Sequence, residues 1–301
     1  LQNSGISSLA TTSPSPPAAG SSHSRFSLTG RSVAVDRRID AVRRDLADIR
    51  LASRVFAPHY AACVARSALA ISPIRRDRAS DSQILSEILP GECFDLLELS
   101  NGSAWGVCAA DGSVGFVSAA ALGVAAAPTH VVAIVSASVR ADPDAEGAIV
   151  GTLPMGASVA NRGGGDFLAV PGGFVAVADL RPIDSFAPDF VAVADTLVGV
   201  ANKPGGRSGA GLDAGGLVFL ALAMAGIPAP RFGDLQAGLG RAIEGEALIR
   251  GDLVFFAEHA AILTDGDTVV HVAADGVRLA SLADVVASGA FGPVVAKRRL
   301  A

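Results

Sequence analysis

Asp213-Ala214-Gly215-Gly216-Leu217-Val218-Phe219-Leu220-Ala221-Leu222-Ala223-Met224-Ala225-Gly226-Ile227-Pro228 is the stretch whose reading decides the architecture. Its apolar run, Ala214 to Gly226, is the longest in the chain. It falls short of the ~18–20 apolar residues needed to span a bilayer, so no membrane span is expected. Its Ala and Gly content predicts a helix buried in a protein core. Pro228 and Pro230 end that helix, because proline lacks the donor and clashes with the preceding turn.

On the N-terminal side, the Gly-rich loop Gly205-Gly206-Arg207-Ser208-Gly209 leads into the helix, and Phe190, Val191, Val193, Leu197 and Val198 predict an amphipathic helix before it. On the C-terminal side, Ile249 to Phe256, Ala260 to Thr264 and Thr268 to Val272 predict strands, with Asp265-Gly266 as a hairpin turn. Helices followed by an antiparallel sheet give an α+β domain over residues 186–301.

Farther upstream the chain repeats itself. Leu89-Pro90-Gly91, the Asn101-Gly102 turn, Trp105-Gly106-Val107, the Asp111-Gly112 turn and Gly115-Phe116-Val117 make one copy. Leu153-Pro154-Met155-Gly156, Phe167-Leu168-Ala169-Val170, the Pro171-Gly172-Gly173 turn and Gly173-Phe174-Val175 make the second. Short alternating strands joined by Asn-Gly and Asp-Gly turns indicate small antiparallel barrels. The pattern resembles bacterial SH3-like domains in tandem, expected at 71–124 and 129–183.

Residues 1–35 contain no Asp or Glu, are rich in Ser and Thr, and include Ser13-Pro14-Ser15-Pro16-Pro17. Such a segment cannot bury enough apolar surface to fold alone. It reads as a disordered arm or as an organelle transit peptide. Residues 36–70 carry Ile39, Val42, Leu46, Ile49 and Val55 at roughly helical spacing, which predicts a helical or extended linker packed on the barrels.

Half of the residues are hydrophobic and 18% are charged, ample for a packed core. The net charge of −5 supplies no broad basic face, so no nucleic-acid partner is expected. Lys297-Arg298-Arg299 is too short to make such a face. Three cysteines argue against a disulfide scaffold and exclude a Cys-rich zinc module.

Residues 186–300 resemble the NlpC-type (NlpC/P60) cell-wall peptidases, a branch of the papain-like cysteine hydrolases. The landmarks are Gly205-Gly206-Arg207-Ser208, then Asp213-Ala214-Gly215-Gly216-Leu217-Val218 where the family has Asp-Cys-Ser-Gly-Leu-Val, then Gly226-Ile227-Pro228. Gly251-Asp252-Leu253-Val254-Phe255-Phe256 and His259-Ala260-Ala261-Ile262 follow, the latter where the family has His-Val-Gly-Ile. The resemblance implies a papain-like fold behind two all-β SH3-like barrels. It implies a Cys–His dyad with a third polar residue, cutting γ-D-glutamyl bonds to a diamino acid. The three positions fall on Ala214, His259 and His271.

Ala214 is the departure. A methyl group has no lone pair, so no acyl-enzyme can form on it. None of Cys63, Cys93 and Cys108 lies in this domain. Around it the family's Tyr-x-Trp is Asn202-Lys203-Pro204, its Ser is Gly215, and its Pro-Arg-Asp-Ser is Pro230-Arg231-Phe232-Gly233. His259 and His271 then read as hydrogen-bonded residues in an old cleft, with no metal and no cofactor expected. Asp252 and Asp265 read as turn residues, Glu258 as solvated and Trp105 as barrel core or groove. Arg207 and Arg231 read as loop structure or as carboxylate-holding groups.

Two functions follow. The first is a non-catalytic homologue acting as a structural or interaction subunit of a larger assembly with other protein subunits, mitochondrial in location. The second is a cell-wall γ-D-glutamyl-diamino acid endopeptidase seen as an inactive variant, or a peptidoglycan-binding relative, in a bacterial envelope or cytoplasm. Peptidoglycan peptide is a partner only under the second.

Overall fold

The computed structural model describes residues 34–300 apart from 161, 162 and 164. The arm expected at 1–35 lies, as far as residue 33, outside the described residues. From Val35 onward the chain forms one compact unit.

The first barrel is a seven-stranded antiparallel sheet. Its strand order is Ile84–Ile88, Ser72–Arg75, Val114–Ser118, Ser103–Cys108, Cys93–Ser100, Val64–Ala68 and Leu122–Val124. Asn101 and Gly102, at φ 52° and 75°, make the tight turn that the Asn-Gly pair predicts. The second barrel splits into a three-stranded sheet (Ser158–Val159, His130–Val132, Leu180–Pro182) and a four-stranded one (Ile149–Pro154, Ser136–Arg140, Gly173–Ala176, Phe167–Val170).

The sequence repeat is a repeat of contacts. A Cβ on Gly115 would lie 2.5 Å from the Arg75 carbonyl oxygen, and one on Gly173 would lie 2.3 Å from that of Arg140. Both glycines therefore serve close backbone approach. Arg75 and Arg140 then repeat a second contact, each donating through Nη1 to a carbonyl seven residues on, Ser82 and Gly147, at 2.7 Å.

Of the helical or extended linker expected at 36–70 the extended alternative forms, and the start expected for the first barrel needs correction. Residues 36–70 contain no α-helix. Leu46–Asp48 pairs in parallel with His59–Ala61, and Ile39 and Ile49 stay 39% and 54% exposed, so the spaced apolar side chains share no buried face. The segment is tied down by charge, through Arg43 to Glu98 and Arg50 to Asp95, and by Ala41 and Leu46 packing in one cluster with Trp105 and Phe116. The first barrel also begins before residue 71, because Val64–Ala68 pairs with both Cys93–Ser100 and Leu122–Val124 inside its sheet.

Residues from Asp189 onward form the α+β domain. Helix α1 (Phe190–Thr196) is capped by Asp189, whose carboxylate accepts from the Val191 N–H at 2.8 Å. Helix α2 (Ala214–Met224) is buried almost all round, which explains its lack of a polar face. It ends in a Schellman pair: Gly226 N–H donates to Ala223 and Ile227 N–H to Leu222, with Gly226 at φ 71°. Short helices α3 (Gly233–Gln236) and α4 (Leu282–Ala287) complete the set.

The six-stranded antiparallel sheet runs Arg241–Ala242, Val294–Arg299, Leu253–Phe256, Ala260–Leu263, Thr268–Ala273, Gly276–Ser281. Leu217 and Leu220 of α2 share one core with Phe255, Ile262, Val270 and Val272 of the sheet. Met155 from the second barrel enters the same core, which binds that barrel to the domain. Asp252 is more than a turn residue: it is fully buried and accepts from Arg299 Nε and Nη2, each at 2.7 Å. Asp265 is a turn residue, accepting from the Asp267 and Thr268 N–H groups. No helix among the described residues is long and apolar enough to cross a membrane.

Candidate functional site

The site grows from the N-terminus of α2. Asp213 caps the helix, accepting from Gly216 N–H at 2.7 Å, and its other oxygen accepts from Gly205 N–H at 3.0 Å. Arg231, itself buried, donates two hydrogen bonds to the same carboxylate at 2.9 and 2.7 Å. One side chain thus fixes the glycine loop, the helix start and the Pro230-Arg231 turn together. Gln236 adds to the clamp, donating to the carbonyls of Gly215 and Pro230 at 2.9 and 2.8 Å.

Behind the loop lies a buried charge cluster shared with the first barrel. Arg207 donates to Glu92 Oε1 at 2.9 Å, to the Glu87 carbonyl at 2.9 Å, and lies 2.9 Å from Asp111. Glu87 accepts from Arg207 N–H and Ser208 Oγ and pairs with Lys203. Glu92 and Asp111 hold the Arg207 guanidinium well above its ordinary pKa, so it stays charged despite full burial. The strand Ile84–Ile88 is therefore the barrel's docking edge, and the Gly-Gly-Arg-Ser loop is its counterpart.

Ala214, the first residue of α2, is half-buried, and its methyl opens onto a cleft with two lobes. One lobe, of about 700 Å³, runs past Phe232, Gly233 and Asp234 toward Arg38, Arg76 and Gln83. The other, of about 750 Å³, runs past Asn202, Pro204 and Gly205 toward Ala273 and Phe291. Ala214, Glu258 and His259 line both. None of Cys63, Cys93 and Cys108 lines either lobe; Cys108 instead lies buried against Arg207 at 3.5 Å.

His259, immediately before the strand Ala260–Leu263, meets His271 of the adjacent strand Thr268–Ala273. Nε2 of His259 stands 3.2 Å from Nδ1 of His271. The Nε2 of His271 is buried with no partner among the described residues. An unmet N–H is the costlier orphan, so we assign the shared proton to His271 Nδ1, donating to His259. Burial first, and then His271, pushes His259 down to about 4. Burial and Arg278 push His271 down as well. Both imidazoles are neutral at pH 7. Among the described residues no group of three or more His, Cys, Asp or Glu side chains could hold a metal ion.

Four contributors were not anticipated from sequence. Phe291 stacks on His259, with ring centroids 3.8 Å apart and planes 12° from parallel. Arg38, from the upstream segment, spans to Asp234 and lies over the Phe232 ring at 4.6 Å. Gln83 and Ile84 bring the first barrel into the cleft wall. Nothing local marks them, because each acts across more than twenty residues of intervening chain.

Residues 199–291 match the family model described as the NlpC/P60 family. The chain carries an NlpC/P60 domain. Residues 74–122 match the bacterial dipeptidyl-peptidase Sh3 domain, so this NlpC/P60 domain follows an SH3-like all-β region. An NlpC/P60 family protein from Bacillus cereus ATCC 10987 shares the fold at 15% identity and TM-score 0.66, over 78% of this chain and 99% of that one. NlpC1 from Trichomonas vaginalis aligns at 14% identity over 90% of this chain and 99% of that one, with TM-score 0.40. The P60 domain of an antigen from M. avium paratuberculosis aligns at 21% identity over 37% and 90%, with TM-score 0.31. No curated protein matches the sequence significantly.

Proposed function

We propose that this NlpC/P60 protein is a non-hydrolytic member of its family, serving as an interaction subunit that binds through its cleft and barrels. The observation that carries the reading is Ala214: a methyl at the capped start of α2, on a cleft it shares with His259 and that no thiol lines. A cysteine hydrolase needs a thiolate there, and the helix terminus and a neighbouring histidine normally favour that anion. Here the histidine is neutral and one face of its ring is covered by Phe291. The buried Arg207–Glu92 pair, and the pairing of buried Arg231 with half-buried Asp213, support a retained architecture, because a buried guanidinium is expensive to leave unpaired.

Two measurements test the proposal. Incubation with a γ-D-glutamyl-diamino acid peptide should yield no product. In native extracts from its own source, the protein should run in an assembly larger than a monomer. A free monomer throughout would remove the interaction role. We propose the mitochondrion as the site of that assembly, on the acid-poor, Ser-rich N-terminal composition. Fractionation of cells expressing the full chain tests that location separately.

A further inference from the structure

The two barrels repeat one edge, and only one copy of it is covered. In the first barrel the edge strand Ile84–Ile88 pairs with Ser72–Arg75, with a bulge between Ile74 and Arg75. In the second the edge strand Ile149–Pro154 pairs with Ser136–Arg140, with a bulge between Val139 and Arg140. Ile84 is opposite Arg75 and Glu87 opposite Pro73; Ile149 is opposite Arg140 and Thr152 opposite Ser138. The repeat therefore superposes Glu87 on Thr152.

The first edge is taken. The Glu87 carbonyl points away from its own sheet and accepts from Arg207 Nε at 2.9 Å, within the loop Gly205-Gly206-Arg207-Ser208. The second edge is bare. Met155 N–H donates to the Val135 carbonyl at 3.0 Å, and bonded residues alternate along an antiparallel pair. The N–H and C=O of Thr152 thus point away from Ser136–Arg140, and neither has a partner among the described residues. Ile149 and Val150 beside it are 60% and 56% exposed, and the strand carries no charge. Native sheets ordinarily cover, charge or shorten such an edge.

Charge indicates what covers it. The hairpin that leads into the strand carries Asp142, Asp144 and Glu146, all exposed and without an ion pair among the described residues. Arg140 offsets one of these charges, but its guanidinium is turned to the Gly147 carbonyl at 2.7 Å. An acidic excess remains at the end of an apolar edge. We propose that Ile149–Pro154 is a docking edge for an extended, arginine-bearing segment of a partner protein, which adds to the sheet as a further strand. Main-chain hydrogen bonds to Thr152 supply the pairing, as in other strand additions. The partner's guanidinium meets the hairpin carboxylates, the charge-assisted contact to which arginine is suited. A second copy of the chain fits less well, because its own edge carries no basic residue. The proposal rests on the interaction role proposed above and names a surface for it away from the cleft.

The probe is the capped peptide acetyl-Arg-Thr-Val-Thr-Val-Arg amide, labelled with fluorescein and titrated against the full chain. Its anisotropy should rise saturably, and added salt should weaken the binding. Amide exchange should slow at Thr152 and stay unchanged across Ile84–Ile88. The same peptide N-methylated at alternate residues keeps its charge but cannot pair, and should not bind. Thr152→Pro removes an N–H that the barrel does not use, a place where edge strands accept proline. It should bind the peptide roughly tenfold or more weakly. An Asp142→Asn/Asp144→Asn/Glu146→Gln variant, altered only at exposed side chains, should melt with the parent and lose most of the salt dependence. No saturable binding, equal binding of the methylated peptide, or binding that both variants leave unchanged would overturn the proposal. A dimer of the chain alone that Thr152→Pro abolishes would assign the edge to a second copy and overturn the partner. A native assembly that Thr152→Pro leaves intact would overturn this edge and leave the interaction role standing, whereas a free monomer throughout removes that role itself.

Discussion

His259 and Phe291 stack ring on ring, with centroids 3.8 Å apart. The stack, together with the contact to His271, removes the imidazole from water and holds it neutral, at a pKa of about 4. A dyad histidine works by carrying charge beside a thiolate. Here the position opposite offers a methyl, and the imidazole is set as a buried hydrogen-bond acceptor.

That burial has a pH signature. Both histidines have depressed folded-state pKa values, so the unfolded chain takes up protons first as pH falls. Stability is full above the unfolded value near 6.5 and declines toward the folded value. For His259 alone the full decline is roughly 3 kcal/mol between those limits. Urea unfolding from pH 7.5 to 5, above the range where the carboxylates titrate, should show it. His259→Gln should flatten the slope.

Arg207→Ala should destabilise the protein by about 3–5 kcal/mol, because it strands the buried Glu92 and Asp111 carboxylates. Arg207→Lys should recover little, since an ammonium cannot reproduce the two-pronged contact. Arg241→Ala, which breaks an exposed pair with Glu246, should leave the denaturation midpoint unchanged within error.

Gly216→Ala sets two effects against each other. Alanine improves helix propensity by about 1 kcal/mol. The added Cβ, however, would sit 2.0 Å from the Gly206 carbonyl oxygen, which is backbone and cannot swing aside. The clash should win, with a net loss of roughly 1–3 kcal/mol in chemical denaturation. A gain in stability would mean that the loop and α2 are less tightly joined than described.

Ala214→Cys should produce a thiol that reacts with iodoacetamide, because the start of α2 favours the anion. It should not produce a useful peptidase. Holding substrate in near-attack geometry can be worth ~7–11 kcal/mol. The lobes that would do so are lined by Asn202, Pro204, Phe232 and Gly233. A paired alkylation and peptide-cleavage assay on the single variant checks both halves.

The parts of this fold that were legible in the sequence are those set by local chemistry. Asn101-Gly102 turns where turn chemistry says it must, and Gly226 ends α2 as a left-handed cap. The barrel repeat showed through Gly115 and Gly173 because close backbone approach tolerates no side chain. Placing Ala214 and His259 on one cleft needed the spacing of an entire domain, and the resemblance supplied it. The rest was non-local. Arg207 meets Glu92 across 115 residues and Arg38 meets Asp234 across 196. Such pairs leave no periodicity to read. The apolar spacing of residues 36–55 left helix and extended chain open for the same reason, since long-range ion pairs and the packing of Ala41 and Leu46 on the first barrel decide that segment.

The most direct test of the central claim is the simplest one. The purified chain should be incubated at micromolar concentration with a γ-D-glutamyl-diamino acid peptide and the products resolved by mass. The account predicts no cleavage above a buffer control, with or without prior thiol alkylation. Cleavage that alkylation abolishes would contradict it, showing that a cysteine from outside the cleft serves a site that Ala214 cannot.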